Sequence, residues 1–164
     1  MIAKKDIVRN LTLIDKLFRN CKNSRREQLY SKLAILELCG WIEESMDDIV
    51  RTYAYRHLLI QRNRDFVNGS VIQRTHGFDY KNNFRRMLIQ ILGIVELEKF
   101  EQSLDPQNFA KMEAALDTLK TCRDAKAHTY TTGTTQRLDA PSATIGRFEE
   151  VYKGLKDIEK KLRT

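Results

Sequence analysis

Apolar residues recur along this chain at helical spacing. Near the start Ile7, Leu11, Ile14 and Phe18 step by four, three and four residues, which lines them up on one face of an α-helix. A longer stripe runs through Ile35, Cys39, Ile42, Met46, Ile49 and Tyr53, with Ile60 in phase. It predicts a helix from about Ser24 that frays towards Asn68. The stretch NGSVIQRTHGFD, with Gly69 and Gly77 inside it, reads as a loop. A third helix is predicted from about Asp79, carrying Phe84, Leu88, Ile91, Leu92 and Val95. Asp105 followed by Pro106 is a start signal, a capping side chain before a proline that suits the first turn. The fourth helix then buries Phe109, Met112, Leu116 and Leu119. After a threonine-rich break around Gly133, Pro141 and Ser142 open a last helix with Ile145, Phe148, Tyr152, Leu155 and Leu162. No stretch reads as a strand and no repeat or linker divides the chain. The expectation is one all-α domain over residues 1–164, a bundle of about five helices.

Composition narrows the class. A chain of 164 residues that is 41% hydrophobic and 31% charged is a globular one with a core to bury, and seven Gly and two Pro leave few helix breakers. Twenty-nine Lys and Arg against 22 Asp and Glu leave a formal charge of +7, which favours polyanions such as RNA, DNA or acidic protein surfaces. Cys21, Cys39 and Cys122 are odd in number and lack metal-site spacing, so they read as reduced thiols. The opening MIAKKDIVRN lacks the apolar run of a signal peptide, and the most apolar window, MLIQILGIVEL, is too short to span a bilayer. A cytoplasmic protein with no membrane partner is expected.

The chemistry concentrates in TCRDAKAHTYTTGTT, from Thr121. The inward stripe of the fourth helix steps 109, 112, 116, 119, so position 123 comes next, and it holds an arginine. A guanidinium on a core-facing stripe is costly unless an anion meets it. Either the helix has reached solvent and Arg123 snorkels, or Arg123 lies in a cleft where an acid or a phosphate compensates it. Asp124 and His128 are four apart and share a helical face, where the carboxylate could hold the imidazole. An imidazole titrating near pH 6.5 suits proton transfer at neutral pH. Arg123 and His128 are five apart, about 140° around an ideal helix. To grip one phosphate they need the helix to unwind after Ala127, or two copies facing each other across a two-fold axis. Tyr130 returns to the face of Arg123. The pair Arg51 and His57 looks similar but reads as surface, and His76 has no catalytic company.

The stretch RDAKAH, residues 123 to 128, closing a helix late in an all-α domain, resembles the signature of HEPN (higher eukaryote and prokaryote nucleotide-binding) domains. Extended to RDAKAHTY, it is similar to the form found in HEPN toxins, in some of which a nucleotidyltransferase antitoxin modifies the tyrosine, here Tyr130. A second stretch, LELCGWIEESMDDIVRTYA, residues 36 to 54, resembles the second helix of the RiboL-PSP-type group, with Glu43 at the place of its glutamate and a candidate partner for Arg123. Two positions depart from the pattern: Asp124 stands where the family often has Asn, and Thr129 where many members have Gly.

The resemblance implies a metal-independent endoribonuclease without cofactor, working as a homodimer on RNA, with a role as a toxin or in phage defence and an antitoxin protein as possible partner. His128 would move the proton of the 2′-hydroxyl or of the leaving group. Arg123 would stabilise charge on the phosphorane, and Lys126 and Thr129 would contact neighbouring phosphates. The alternative is an inactive HEPN-like module that binds RNA, nucleotide or a protein partner, and beyond it stands a basic helical interaction protein in which RDAKAH is accidental.

Overall fold

The computed structural model describes residues 2–127 and 138–163, the side chains of residues 125–127 excepted. Among these, every regular element is helical. The α-helices are α1 (Lys5–Arg19), α2 (Ser24–His57), α3 (Gln61–Phe66), α4 (Arg85–Leu92), α5 (Ile94–Ser103), α6 (Pro106–Ala127) and α7 (Pro141–Lys161). Two π-helical stretches, Val67–Ile72 and Tyr80–Phe84, continue α3 and lead into α4. The bundle is all-α, and its seven α-helices among the described residues are roughly compatible with the expected number of about five.

The long α2 is the central post. α1 doubles back along it, and α6 and α7 pack on the core side. Helix starts fall where side chains can satisfy free backbone N–H groups. Asn23 accepts from the Arg26 N–H at 3.1 Å, and Asp105 accepts from the Asn108 N–H at 2.7 Å. The largest fully buried side chains include Phe78, Phe84, Phe148, Leu38, Ile42 and Met112. Trp41 on α2 meets Phe148 edge-on, with centroids 5.1 Å apart, and donates its indole N–H to the Ala3 carbonyl at 2.8 Å. Glu159, almost fully buried on α7, accepts from the Ile2 N–H, Lys156 and Arg163, so its charge is compensated from three sides.

Three expectations need correction. The segment read as a loop over residues 68–79 is helical in its first part. Val67, Val71 and Ile72 are all buried, and the widened π turn lets residues four and five apart share one face; Gln73 accordingly donates to the Asn68 carbonyl, five residues back. α2 stops at His57, so Ile60 leaves the stripe and is 61% exposed. The third predicted helix is two helices. Gly93 adopts φ +78°, a conformation L side chains rarely take, and breaks the run between α4 and α5. The phase resets there, leaving Val95 exposed and Leu97 buried.

α6 and α7 pack tightly at Gly154. A Cβ placed there would lie 2.5 Å from the Cβ of Met112, an atom fixed to the backbone of α6. Gly154→Ala is expected to push the two helices apart and to destabilise the fold by about 1–3 kcal/mol in urea denaturation. Gly146→Ala on the same helix, with nothing within 4 Å of its added Cβ, should leave stability unchanged or slightly raised.

Candidate functional site

On α6 the inward stripe runs through Met112, Leu116 and Leu119, each buried, to Arg123. The Arg123 side chain is 27% exposed, neither sealed in the core nor carried out to bulk water. Its charge is met by acids. Nη1 donates to Glu43 Oε1 on α2 at 2.8 Å, and Nε and Nη2 both donate to Asp124 Oδ1 at 3.1 Å. Beneath it lies the Phe78 ring, whose centroid is 4.9 Å from the guanidinium carbon, a cation–π contact. Of the two readings of this arginine, the compensation by acids is what the structure shows: the guanidinium is part-buried and paired with two carboxylates.

Phe78 is held there by a turn built for the purpose. Gly77 takes φ +105°. The Asn83 side chain accepts from the Asp79 N–H and donates to the His76 carbonyl, which closes the turn. Asp79 caps the π stretch by accepting from the Asn82 N–H and takes a hydrogen bond from Lys120 of α6 at 2.7 Å. The lysine hydrogen bond, helped by the Asn82 contacts, holds the Asp79 carboxyl down at about 2. The same lysine thus fixes the turn to α6 one turn before Arg123. Phe78 carries no signal in the sequence pattern, and Asp79 stands there only as the start of a helix. Only the combination, an Asp at a helix start directly after an aromatic, preceded by a glycine, marks the pair.

The surroundings of the arginine are acidic and thiol-bearing. Burial pushes the Cys39 thiol up to about 12, against the pull of the Arg123 charge, so it is an inert core group. Glu43 opens the acidic run Glu43, Glu44, Asp47 and Asp48 on α2. Burial, together with these neighbouring carboxylates and against the pull of Arg51, raises Asp47 to about 6.

Arg123, Asp124 and Glu43 are thus brought together. The Lys126 side chain, and the whole of His128, Thr129 and Tyr130, lie outside the described residues. Asp124, considered as a holder for His128, spends one carboxylate oxygen on Arg123. The look-alike pair is dispersed: Arg51 pairs with Asp48, and His57 lies against the Tyr53 ring at 4.3 Å. Among the described residues, no three His, Cys, Asp or Glu side chains gather as a metal-holding group, and no helix is long and apolar enough to cross a membrane.

The Asp47 shift gives a pH test. Its folded value is above the unfolded 3.8, so the native state binds that proton more tightly, and stability falls as pH rises from about 4 to about 6. Asp47→Asn removes the penalty. The variant is expected to gain on the order of 1 kcal/mol at pH 7, after allowance for solvent screening, and nothing below pH 4. Urea titrations at the two pH values, read by Trp41 fluorescence, check both halves.

No protein-family profile, curated protein or solved structure matches the chain.

Proposed function

We propose that this protein is a metal-independent endoribonuclease of the HEPN type, cutting RNA through the strand's own 2′-hydroxyl. The observation that carries the reading is the setting of Arg123: a part-buried guanidinium at the end of a core helix, held rigidly and opening on solvent. A guanidinium has five N–H groups, and three of Arg123's are engaged by Glu43 and Asp124. The remaining two suit the non-bridging oxygens of a phosphodiester. With its plane fixed by Phe78 and Glu43, the fork needs little reorganisation as charge builds on phosphorus.

His128, five residues on, serves as proton carrier. The 2′-oxygen loses its proton and bonds to phosphorus while the bond to the 5′-oxygen breaks, leaving a 2′,3′-cyclic phosphate; the departing 5′-oxygen takes up a proton and becomes a hydroxyl. Two copies of the site, one from each protomer of a homodimer, supply Arg123 and His128 to a shared cleft. Lys126 and Thr129 steady the flanking phosphates. A toxin or phage-defence role, restrained by an antitoxin protein and open to modification at Tyr130, accords with the same reading, as does a cytoplasmic location.

A second reading is favoured by one observation. Two carboxylates on one guanidinium give the cluster a net negative charge, which repels phosphate. On that reading the domain is an inactive HEPN-like module that binds RNA, nucleotide or a protein partner.

Purified protein incubated with structured RNA in EDTA separates them. The nuclease cleaves and leaves cyclic phosphate ends, whereas the module only retards the RNA. His128→Ala and Arg123→Ala are expected to lower the cleavage rate at least 10²-fold, with helicity and association unchanged. Parental rates in both variants would sink the assignment. Asp124→Asn, which removes one of the two negative charges, should raise the rate several-fold if Arg123 meets phosphate.

A further inference from the structure

The chain's positive charge is not spread evenly. Residues 51–90 hold eight Lys or Arg and two Asp or Glu, a surplus of six out of the total of seven. Arg56, Arg62, Arg74, Lys81 and Arg86 in this segment are exposed, and none has an acidic partner among the described residues. A surplus of exposed, unpaired cations favours a polyanionic partner.

Lined almost wholly by residues of this segment, where the end of α2 meets α3 and α4, lies a pocket of about 230 Å³. Its lining combines three rings, Tyr53, His57 and Phe66, with two side-chain amides, Asn63 and Gln90, and with aliphatic walls such as Ile91. Tyr53 and His57 already lie against each other, tilted by 30°, while Phe66 stands 59% exposed. Arg62 precedes Phe66 by one helical turn and Arg86 precedes Gln90 by one, so each cation shares a face with a lining residue. A larger pocket between α1 and α2, of about 330 Å³, has the opposite character: Asp6, Glu37 and Glu44 line it, and an anion would be repelled.

We infer that the α2–α3–α4 pocket is a base-binding subsite for single-stranded RNA. A planar base stacks on the exposed ring of Phe66, Asn63 and Gln90 hydrogen-bond its polar edge, and Arg56, Arg62 and Arg86 hold the adjoining phosphates. The inference rests on RNA being the substrate, and adds where the strand is gripped away from Arg123. From Glu43 to His57 is fourteen residues of α2, about 21 Å at 1.5 Å each, a gap that a short extended strand bridges.

The test uses a short 2′-O-methylated single-stranded oligonucleotide, which lacks the attacking hydroxyl and so reports binding alone. Phe66→Ala, at an exposed position, is expected to weaken binding about tenfold with helicity unchanged, and Asn63→Ala and Gln90→Ala to weaken it several-fold. Arg62→Gln and Arg86→Gln should each lower the slope of log affinity against log salt by about 0.7. An abasic oligonucleotide of the same length should compete poorly. Equal competition by the abasic strand, or undiminished binding by Phe66→Ala, overturns the subsite. So does concentration-dependent self-association, or capture of an acidic peptide, that Phe66→Ala abolishes while RNA binding stays intact. The two readings fail separately. If His128→Ala cleaves like the parent while Phe66→Ala loses binding, the catalytic assignment falls and the subsite stands; the reverse pair of results removes only the subsite.

Discussion

An arginine on an inward-facing helical stripe must be answered, and the answer organises this molecule. Left unpaired in a half-buried place, the Arg123 charge would cost several kcal/mol; moved to the surface, it would break the stripe that packs α6. Glu43 meets it from α2, and Phe78 supplies a polarisable floor. These partners come from three separated parts of the chain, so the ion pair ties the central helix, the turn before the second π stretch and the end of α6 to one point. Lys120 with Asp79 repeats the tie one turn earlier. Tertiary structure here is closed by charge at one end of a core otherwise held by apolar contact.

Much of the bundle was legible because its helices are long and their stripes regular. Ile7, Leu11 and Ile14, the α2 stripe from Ile35 to Ile49, and Met112, Leu116 and Leu119 are all buried as their spacing required. Capping chemistry located the helix start at Asp105, since a free N–H is satisfied by the nearest side-chain oxygen; the same device at Asn23 shows only in the structure. What the pattern concealed lies between residues 58 and 104. A π turn has no 3.6-residue signature, so Val71 and Ile72 looked like loop apolars. A glycine inside an apolar run can be either tolerated or decisive, and only the backbone at Gly93 tells which.

The candidate site was half legible for the same kind of reason. Arg123 announced itself by standing where an apolar residue belonged, and Glu43 through resemblance to a helix of known type. Phe78 makes its contribution through a contact 45 positions distant in the chain, which no local pattern encodes. The pocket at the end of α2 is still less visible in one dimension, because Tyr53, Asn63, Phe66 and Gln90 become neighbours only through the turn after His57 and the widened helical segment that follows it.

The widened turns have an evolutionary side. Phe84 donates to the Asp79 carbonyl, five residues back, so this stretch holds one more residue than an α-helix of the same pitch would. Deleting a residue there would tighten the coil and rotate all that follows by about 100°, carrying Met87 and Leu88 off the interior. The extra residue acts as a phase adjuster: it lets a capped, solvent-edge turn and a core-seeking helix be written as one uninterrupted segment. Drift in this part of the chain should therefore exchange the exposed side chains, such as Lys81 and Asn82, while conserving length.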